Sequence, residues 1–475
     1  MKKIFIISLS LLLFFLFSYF LFPSNSKAAT LEVGAGRTYS TIQAAVNASV
    51  AGDTVLVYPG TYNESVLIPD GKQGTATSPI TIKALYPARK PLDGGEWADT
   101  PDKRAVVDAG LTGVAGFYNE GSYTTNQSLW ARYIIIDGFY ITGGGGLSIY
   151  SSGGGILFEN DDNIWIRNNV IINDNGYLYS GRGSNGEQVG NIYLKFTDNS
   201  LVQNNYFEYT LQDAYTTSRF FINNSGLNNI AEYNEGYIGP GAVNGSFAYV
   251  HVFNNSTNFI FRYNYWKAEA ANGGNIISRF RDNTLFTIAN NYIRSTVAQQ
   301  NFIVHEQPEA CCLDERHKLN NNTFYYDLGV YDNRRVFGLG MLDNSEAKNN
   351  IFYSGIYDNN SYPIGQAYTT NSNSVTIDNN TYYNFPSLVQ PVFTGYTETN
   401  TQNLNPNINT ATGCASSVDN NIYGANLDVS NIPYRKCDGA FYSATGKFGI
   451  SVVVSDGGSI PDTTPPSAPT GLVIQ

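Results

Sequence analysis

The stretches IWIRNN (164–169), LVQNN (201–205), IAEYN (230–234) and FIFRYN (259–264) decide the fold of this chain. Each is a short apolar strand that runs into Asn-Asn or Tyr-Asn, and the pattern returns in FTIANN, KLNNN, EAKNN and VTIDNN. Successive copies end 27 to 36 residues apart, at Asn169, Asn205, Asn234, Asn264, Asn291, Asn322, Asn350 and Asn380. A repeat of this length is typical of a solenoid.

A repeat that contains only short strands cannot bury its apolar side chains alone, so the copies must stack. Stacking pairs each strand in parallel with its copies above and below, about 4.8 Å away. Asparagine suits the sharp turn because it tolerates a left-handed backbone, and stacked amides can form a hydrogen-bonded ladder. We therefore predict an all-β protein, a right-handed parallel β-helix of about eleven rungs. Earlier rungs are indicated by ITIKA (80–84), AVVDA (105–109) and YIIIDGFYI (133–141).

The start of the chain differs from the repeat. Residues 1–28 combine Lys2 and Lys3 with a long apolar run and end in small residues around Lys27, which is typical of a signal peptide. An uncleaved membrane anchor is the alternative. The segment TYSTIQAAVNAS (38–49) has apolar residues at helical spacing and predicts a helix that caps the solenoid. We expect a secreted or cell-surface protein.

The domain prediction follows from the extent of the repeat. Residues 29–455 are expected to form a single parallel β-helix domain, and residues 456–475 form a proline-rich linker. The linker sequence IPDTTPPSAPTGLVIQ (460–475) resembles the opening of a fibronectin type III domain, which implies a further domain.

Charge and cysteine content limit the partners. Without residues 1–28 the chain keeps 25 basic and 39 acidic residues, a net charge of −14. This argues against nucleic acid, whose phosphates require Lys and Arg. Cys414 and Cys437 lie 23 residues apart and predict a disulfide, while the adjacent Cys311 and Cys312 allow a vicinal bridge or two free thiols. We expect a monomer, and no cysteine or histidine spacing predicts a zinc site.

The N-terminal region resembles a known group of enzymes. TYSTIQAAVNASVAGDTVLVYPGTYNESVLI (38–68) and GTATSPITIKA (74–84) are similar to the N-termini of β-helix polysaccharide lyases. These include alginate lyases and chondroitinase B of the family-six lyases, and the family-nine pectate lyases. The resemblance implies a pectate-lyase-like solenoid that acts on an acidic polysaccharide.

A weaker resemblance to the family-six lyases covers residues 248–293. In that family a Lys-Ser pair here supplies the catalytic base, an Arg on the next rung assists it, and two acidic residues upstream bind calcium. This chain has Asn255-Ser256 at the Lys-Ser position, and Ala248 and Val250 near the acidic pair. Only the arginine, Arg279 or Arg281, is kept.

β-Elimination next to a uronate carboxylate needs a base and a cation that neutralises the developing enolate. Candidate cations lie on a second strand of each rung, upstream of the Asn turn. Alternation in GNIYLKF (190–196) puts Ile192, Leu194 and Phe196 inward, so Tyr193 and Lys195 point outward. The same reasoning puts Val250, Val252, Ile276, Phe280, Phe302 and Val304 inward, and it turns outward Arg219, Tyr249, His251, Arg279, Arg281 and His305.

Five of these groups are spaced by about one rung. The separations are 24, 32, 28 and 26 residues, which predicts one vertical stripe of Lys195, Arg219, His251, Arg279 and His305. The candidate catalytic residues are His251, Arg279, Arg281 and Tyr249. His251 is the first choice as base because the pKa of an imidazole lies near neutrality. The candidate substrate-binding residues are Lys195, Arg219, His305 and Tyr193.

Two function classes remain open. One is a lyase that acts on an acidic polysaccharide, and the other is a non-catalytic β-helix that binds glycan or serves as a surface adhesin. Glu159, Asp161 and Asp162 in FENDDN (158–163) fit a solvated turn better than a calcium site, although calcium remains an alternative. Tyr193, Tyr249 and Trp266 are aromatic candidates for stacking on sugar rings, and core packing is the competing role for Trp266.

Overall fold

The computed structural model describes residues 28–92, 94–110, 114–120, 127–143, 154–173, 189–209, 218–239, 248–253, 256–269, 277–278, 286–296, 303–304, 318–327, 337–338, 345–357, 362–365, 375–389, 391, 395–417, 424–425, 427–428, 430 and 435–437. Strands in these ranges form three long sheets in which every neighbouring pair is parallel. Ten successive turns, from Thr54 to Gly365, each contribute one strand to each sheet, in the order sheet 1, sheet 2, sheet 3. The predicted fold class, a parallel β-helix, is confirmed.

Sheet 1 has thirteen strands: β1 (Thr30–Val33), β2 (Thr54–Val57), β5 (Ile80–Ala84), β8 (Arg132–Asp137), β11 (Asp162–Arg167), β14 (Leu201–Gln203), β17 (Ile230–Glu232), β20 (Phe259–Arg262), β23 (Phe286–Ala289), β26 (Lys318–Asn320), β29 (Glu346–Lys348), β32 (Val375–Asp378) and β34 (Tyr396–Thr399). Sheet 2 has twelve: β3 (Gly60–Tyr62), β6 (Ala105–Asp108), β9 (Tyr140–Thr142), β12 (Val170–Asn173), β15 (Tyr206–Tyr209), β18 (Glu235–Ile238), β21 (Tyr265–Ala268), β24 (Tyr292–Ser295), β27 (Thr323–Tyr326), β30 (Ile351–Ser354), β33 (Thr381–Tyr383) and β35 (Gln402–Asn403).

Sheet 3 has ten strands: β4 (Val66–Leu67), β7 (Ala115–Glu120), β10 (Gly154–Glu159), β13 (Val189–Lys195), β16 (Ser218–Asn224), β19 (Ala248–Phe253), β22 (Ile277–Ser278), β25 (Ile303–Val304), β28 (Phe337–Gly338) and β31 (Ile364–Gly365). A separate antiparallel pair consists of β36 (Leu427–Asp428) and β37 (Arg435–Lys436). The helices are α1 (Ile42–Ala48) and two short 3₁₀ segments, Pro101–Lys103 and Gln127–Leu129.

Inward side chains of the three sheets form one continuous apolar cluster that runs from Val33 to Val389. Trp266 belongs to it, with its ring 5.2 Å from Phe220 and 6.0 Å from Phe207. Gly236 on the preceding rung leaves room for this ring, because a Cβ there would lie 2.1 Å from it. Trp266 is therefore a core residue and does not meet a sugar.

The asparagine column lies in the turn between sheets 1 and 2, where two neighbouring residues have different structural roles. The last Asn of each copy is buried and forms the ladder: the backbone N–H and Nδ2 of Asn234 both donate to Oδ1 of Asn264, at 2.9 and 3.0 Å. The left-handed backbone belongs to the residue before it, which is Tyr263 (φ 56°) in this copy. The predicted ladder is present, but the expectation that these same asparagines adopt the left-handed conformation is wrong.

Asn264→Ala is expected to lower the free energy of unfolding by about 3 kcal/mol, because buried groups of the neighbouring rungs lose their partners. These are the Asn234 amide, which donates to Oδ1, and the Ala231 carbonyl, which accepts from Nδ2 at 3.0 Å. Denaturant unfolding of the variant measures the loss. Asn403→Ala removes an exposed asparagine and is the control. Equal losses in the two variants would contradict a structural ladder.

The ends of the solenoid carry irregular segments. Helix α1 packs against β1, β2 and β4 and buries Ile42, Ala45 and Val46. The predicted disulfide Cys414–Cys437 is present. Among the described residues, no helix is long and apolar enough to cross a membrane. The signal-peptide and linker predictions, and Cys311 and Cys312, lie outside the described residues.

Candidate functional site

The described positions among the predicted site residues lie on three neighbouring strands of sheet 3. Val250 and Val252 are buried in the core, as predicted. Side chains of a strand alternate between its faces, so position 251 between them lies on the outer face. Tyr249 shares a register position with Phe220, whose ring is in the core. Because Phe220 and Phe221 are both in the core, alternation is interrupted here, and the register favours position 251 over position 249 as the one presented to a substrate.

The register contradicts a vertical stripe. Lys195 pairs with Asn224, which lies five positions beyond Arg219 on the same strand. Arg219 pairs with Ala248, and His251 lies three positions further along. At about 3.3 Å per residue, Lys195 and Arg219 are offset by about 16 Å along the strand direction. The three residues occupy one sheet but not one column, because paired positions on these strands are separated by 29 residues in sequence, whereas the separations used for the stripe were 24 and 32.

The predicted inward positions of the next two strands are also one residue out of phase. Ile277 pairs with the buried Val250, so the inward register position is 277 and not the expected Ile276. Ile303 continues this column. A slip of one residue exchanges the two faces of a strand, so the sequence argument for the outward orientation of the next residues fails. Those residues, Arg279, Arg281 and His305, lie outside the described residues.

Lys195 is part of a buried ion pair. It stands directly opposite Glu159 in the pairing of β10 with β13, and its Nζ lies 3.0 Å from Glu159 Oε1. The side chains are 6% and 4% exposed. A buried cation that is neutralised in this way contributes to folding and not to a surface field. The prediction that Lys195 binds substrate is therefore replaced by a structural role.

Tyr193 is also buried, at 3% exposure. It lies on the side of sheet 3 away from the core, in a small apolar cluster with Ala115 and Leu157. Its hydroxyl accepts a hydrogen bond from Asn224 Nδ2 at 3.0 Å. The outward orientation was predicted correctly, but the packing around the ring leaves it little surface for a sugar. Phe196, predicted inward, is partly exposed at a left-handed turn.

The acidic segment 158–163 is not a solvated turn, since Glu159 and Asp161 are buried. Asp161 Oδ1 accepts a hydrogen bond from the Ala131 amide at 2.7 Å, and burial raises the pKa of Asp161 well above its usual range. Asp162 Oδ1 accepts from Asn199 Nδ2. The three carboxylates thus have separate partners. In the described part of the chain, no three acidic, His or Cys side chains form a group that could hold a metal ion, so these residues do not fit calcium.

Asp198, in the turn from sheet 3 to sheet 1, has a pKa raised to about 6, chiefly by burial and further by Asp162. The folded state therefore binds an extra proton between about pH 4 and 6, and the free energy of unfolding falls as pH rises through that window. Asp198→Asn keeps an acceptor for the Leu227 amide. It is expected to be more stable than wild type by about 1–3 kcal/mol at pH 8 and equal at pH 4.

Thermal or denaturant unfolding at both pH values checks this expectation. Asp102→Asn, which removes an exposed carboxylate, controls for the change in net charge. A stability gain for Asp198→Asn that is the same at pH 4 and pH 8 would contradict the assigned titration.

Sequence reasoning missed a second outer face, on sheet 2. Six consecutive strands place an aromatic or cationic residue at one outward register position; this tyrosine ridge consists of Tyr237, Lys267, Arg294, Tyr325, Tyr353 and Tyr383. The signal in the sequence was a residue three positions after each Asn of the ladder. It was overlooked because the strands after the Asn turn were not assigned to a face.

Comparisons with solved structures return β-helix enzymes at low identity. An alginate lyase from Paenibacillus sp. str. FPU-7 is 12% identical, with 79% of this chain and 99% of that chain covered and a TM-score of 0.40. The family-six polysaccharide lyase Pedsa3628 from Pseudopedobacter saltans is 13% identical, with 84% and 99% covered and a TM-score of 0.41. Pectate lyase Pel9A is 15% identical, with 90% of each chain covered and a TM-score of 0.34.

These three proteins are polysaccharide lyases by name, and at this identity the likeness concerns the fold alone. No family model matches the chain, and no curated protein matches it. The assignment of the fold rests on the sheets themselves, in which strands from successive turns stack in parallel over one continuous core. The chain is a parallel β-helix protein.

Proposed function

We propose that this protein is an exported polysaccharide lyase that cleaves a uronate-containing polysaccharide by β-elimination on the outer face of sheet 3. The observation that carries the proposal is the position of His251. It lies on the outer face between two core valines, on the strand next to the one that holds Arg219.

The reaction balances with these two residues. His251 accepts the proton from the carbon next to the uronate carboxylate, and the electron pair forms a carbon–carbon double bond as the bond to the 4-linked oxygen breaks. That oxygen leaves and takes up the proton from the His251 imidazolium, which restores the neutral base. We assign the neutralisation of the substrate carboxylate, which carries the developing charge, to Arg219, whose register position on the neighbouring strand is three residues from that of His251. Arg279 and Arg281 are further candidates for this role.

The residues around Arg219 suit a sugar. Its register position on the neighbouring strands is taken by Gly190 and Ala248, and by Gly154 and Ala115 further along the sheet. The neighbours of Arg219 in this register column are therefore all small residues. No step is assigned to calcium, for which the described acids provide no group of ligands.

The test is incubation with a panel of soluble polyuronates, including alginate, polygalacturonate and chondroitin sulfate. The unsaturated product of β-elimination is detected by its ultraviolet absorbance, with calcium and with a chelator. We expect product from at least one polymer. Absence of unsaturated product from every polymer, in both conditions, would sink the proposal.

A non-catalytic glycan-binding protein is the second candidate, and one observation favours it. Glu159 neutralises Lys195, so the outer face of sheet 3 has one cation fewer than the sequence indicated. Binding of a polyuronate without any unsaturated product would support this candidate.

A further inference from the structure

The tyrosine ridge lies on sheet 2, a different face of the solenoid from the proposed catalytic face on sheet 3. Its six residues occupy one register position on successive strands, so they repeat at about 4.8 Å and span about 24 Å along the solenoid axis. This repeat is comparable to the length of one pyranose unit in an extended chain.

Three tyrosines form a stack at one end of the ridge. The ring centroids of Tyr325 and Tyr353 are 4.5 Å apart and the ring planes are nearly parallel, with an angle of 2° between them. The ring centroids of Tyr353 and Tyr383 are 5.6 Å apart, with an interplanar angle of 22°. Tyr353 and Tyr383 are half-buried. Because the rings face one another, their edges and hydroxyls form the outer surface. Such a surface pairs apolar ring edges with groups that both donate and accept hydrogen bonds.

The two cations of the ridge are each paired with a carboxylate. Arg294 Nη2 lies 2.8 Å from Asp327 Oδ2, and Lys267 Nζ lies 2.5 Å from Glu269. The Tyr237 hydroxyl donates to the same glutamate at 2.6 Å, and burial raises the pKa of Tyr237 to about 12, so this hydroxyl stays protonated. The pairs balance in charge, and their side chains are 19–30% exposed. A balanced polar surface suits sugar hydroxyls better than a polyanion.

The C-terminal segment covers the middle of the ridge and leaves its last two tyrosines accessible. Tyr325 is only 7% exposed and packs in a cluster with Ala425, and Arg294 Nη1 donates to the Thr410 carbonyl at 3.2 Å. Beside Tyr325, Thr323 is also buried, and its Oγ1 accepts a hydrogen bond from the Ala425 amide. Tyr353 and Tyr383, on the next two strands, remain half-buried, so solvent reaches this end of the aromatic column.

We propose that the accessible end of the tyrosine ridge, formed by Tyr353 and Tyr383, binds a neutral, hydroxyl-rich polysaccharide chain, separately from the catalytic face. Tyrosine edges contact the apolar faces of the sugar rings, and the hydroxyls and the paired charges hydrogen-bond to the sugar hydroxyls. The ridge holds the protein on a neutral glycan while the outer face of sheet 3 binds the acidic polymer.

Affinity electrophoresis and calorimetry with soluble xylan, galactomannan and mixed-linkage β-glucan test the proposal. We expect wild type to bind at least one of them, with no competition from alginate. Tyr353→Ser with Tyr383→Ser should weaken binding by about tenfold or more, because two aromatic contacts are lost. Tyr353→Phe with Tyr383→Phe keeps the stack, folds as wild type, and should show a smaller loss. Tyr58→Ala removes a partly buried tyrosine at the other end of the solenoid and is the control.

Three results would overturn the proposal: no binding to any of the three polymers, equal affinity in wild type and both double variants, or equally effective competition by alginate. His251→Ala should bind the neutral polymer as wild type does. That variant separates failure of the ridge from failure of the proposed lyase activity.

Discussion

Lys195→Ala is expected to lower the free energy of unfolding by about 3–5 kcal/mol, because it leaves the Glu159 carboxylate buried without its partner. The two side chains are almost fully buried and face each other across adjacent strands of sheet 3. An unpaired carboxylate at this place loses its hydration without a compensating charge. Denaturant unfolding followed by circular dichroism measures the change.

Two further variants test the cause. Lys348→Ala breaks a partly exposed pair, Lys348–Glu346 at 2.7 Å, and should cost less than about 1 kcal/mol. Lys195→Met combined with Glu159→Gln removes both charges and should recover most of the stability lost in the single variant. If Lys195→Ala costs no more than Lys348→Ala, the pair is not the buried interaction described above.

His251→Ala is expected to lower turnover of the polyuronate by about 10²–10⁴-fold, which is the usual contribution of a general base. Its thermal midpoint should stay close to that of wild type, since position 251 lies outside the core. The wild-type kcat/KM should fall towards acidic pH, because protonation removes an imidazole base, and the variant should lack this pH dependence.

The controls for this experiment are chosen to separate the base from its neighbours. His317→Ala removes a histidine from the charged stretch 314–318 and should retain turnover. Arg219→Ala should lower both kcat and the affinity for substrate, because it holds the carboxylate. Retention of more than about a tenth of the wild-type turnover in His251→Ala would exclude His251 as the base.

The ion pair and the histidine have different consequences for the proposed lyase. Loss of Lys195 is expected to act through the fold, with activity falling only as the unfolded fraction rises. Loss of His251 is expected to act on the reaction, with the fold unchanged. Measuring stability and turnover together on both variants therefore assigns each residue to folding or to catalysis.

The amino-acid sequence by itself determined the repeat, the parallel stacking and the asparagine ladder. These features depend on short-range rules: side chains alternate along a strand, and an Asn amide can both donate and accept along a column. For the same reason the inward positions Ile192, Leu194, Val250 and Val252 were predicted correctly. The Cys414–Cys437 disulfide was also predicted, because the two cysteines lie close in sequence near the end of the repeat.

Only the tertiary structure decided which outward residues become neighbours on the same face of a sheet. Loops of different length connect the strands, so residues that lie about one rung apart in sequence, such as Lys195 and Arg219, are five positions apart in register. The same alignment brought Glu159 opposite Lys195 and turned a candidate substrate ligand into a buried ion pair. It also aligned Tyr325, Tyr353 and Tyr383 into a stack. Alternation sets the face of a side chain, but its neighbours on that face depend on the path of the whole chain between rungs.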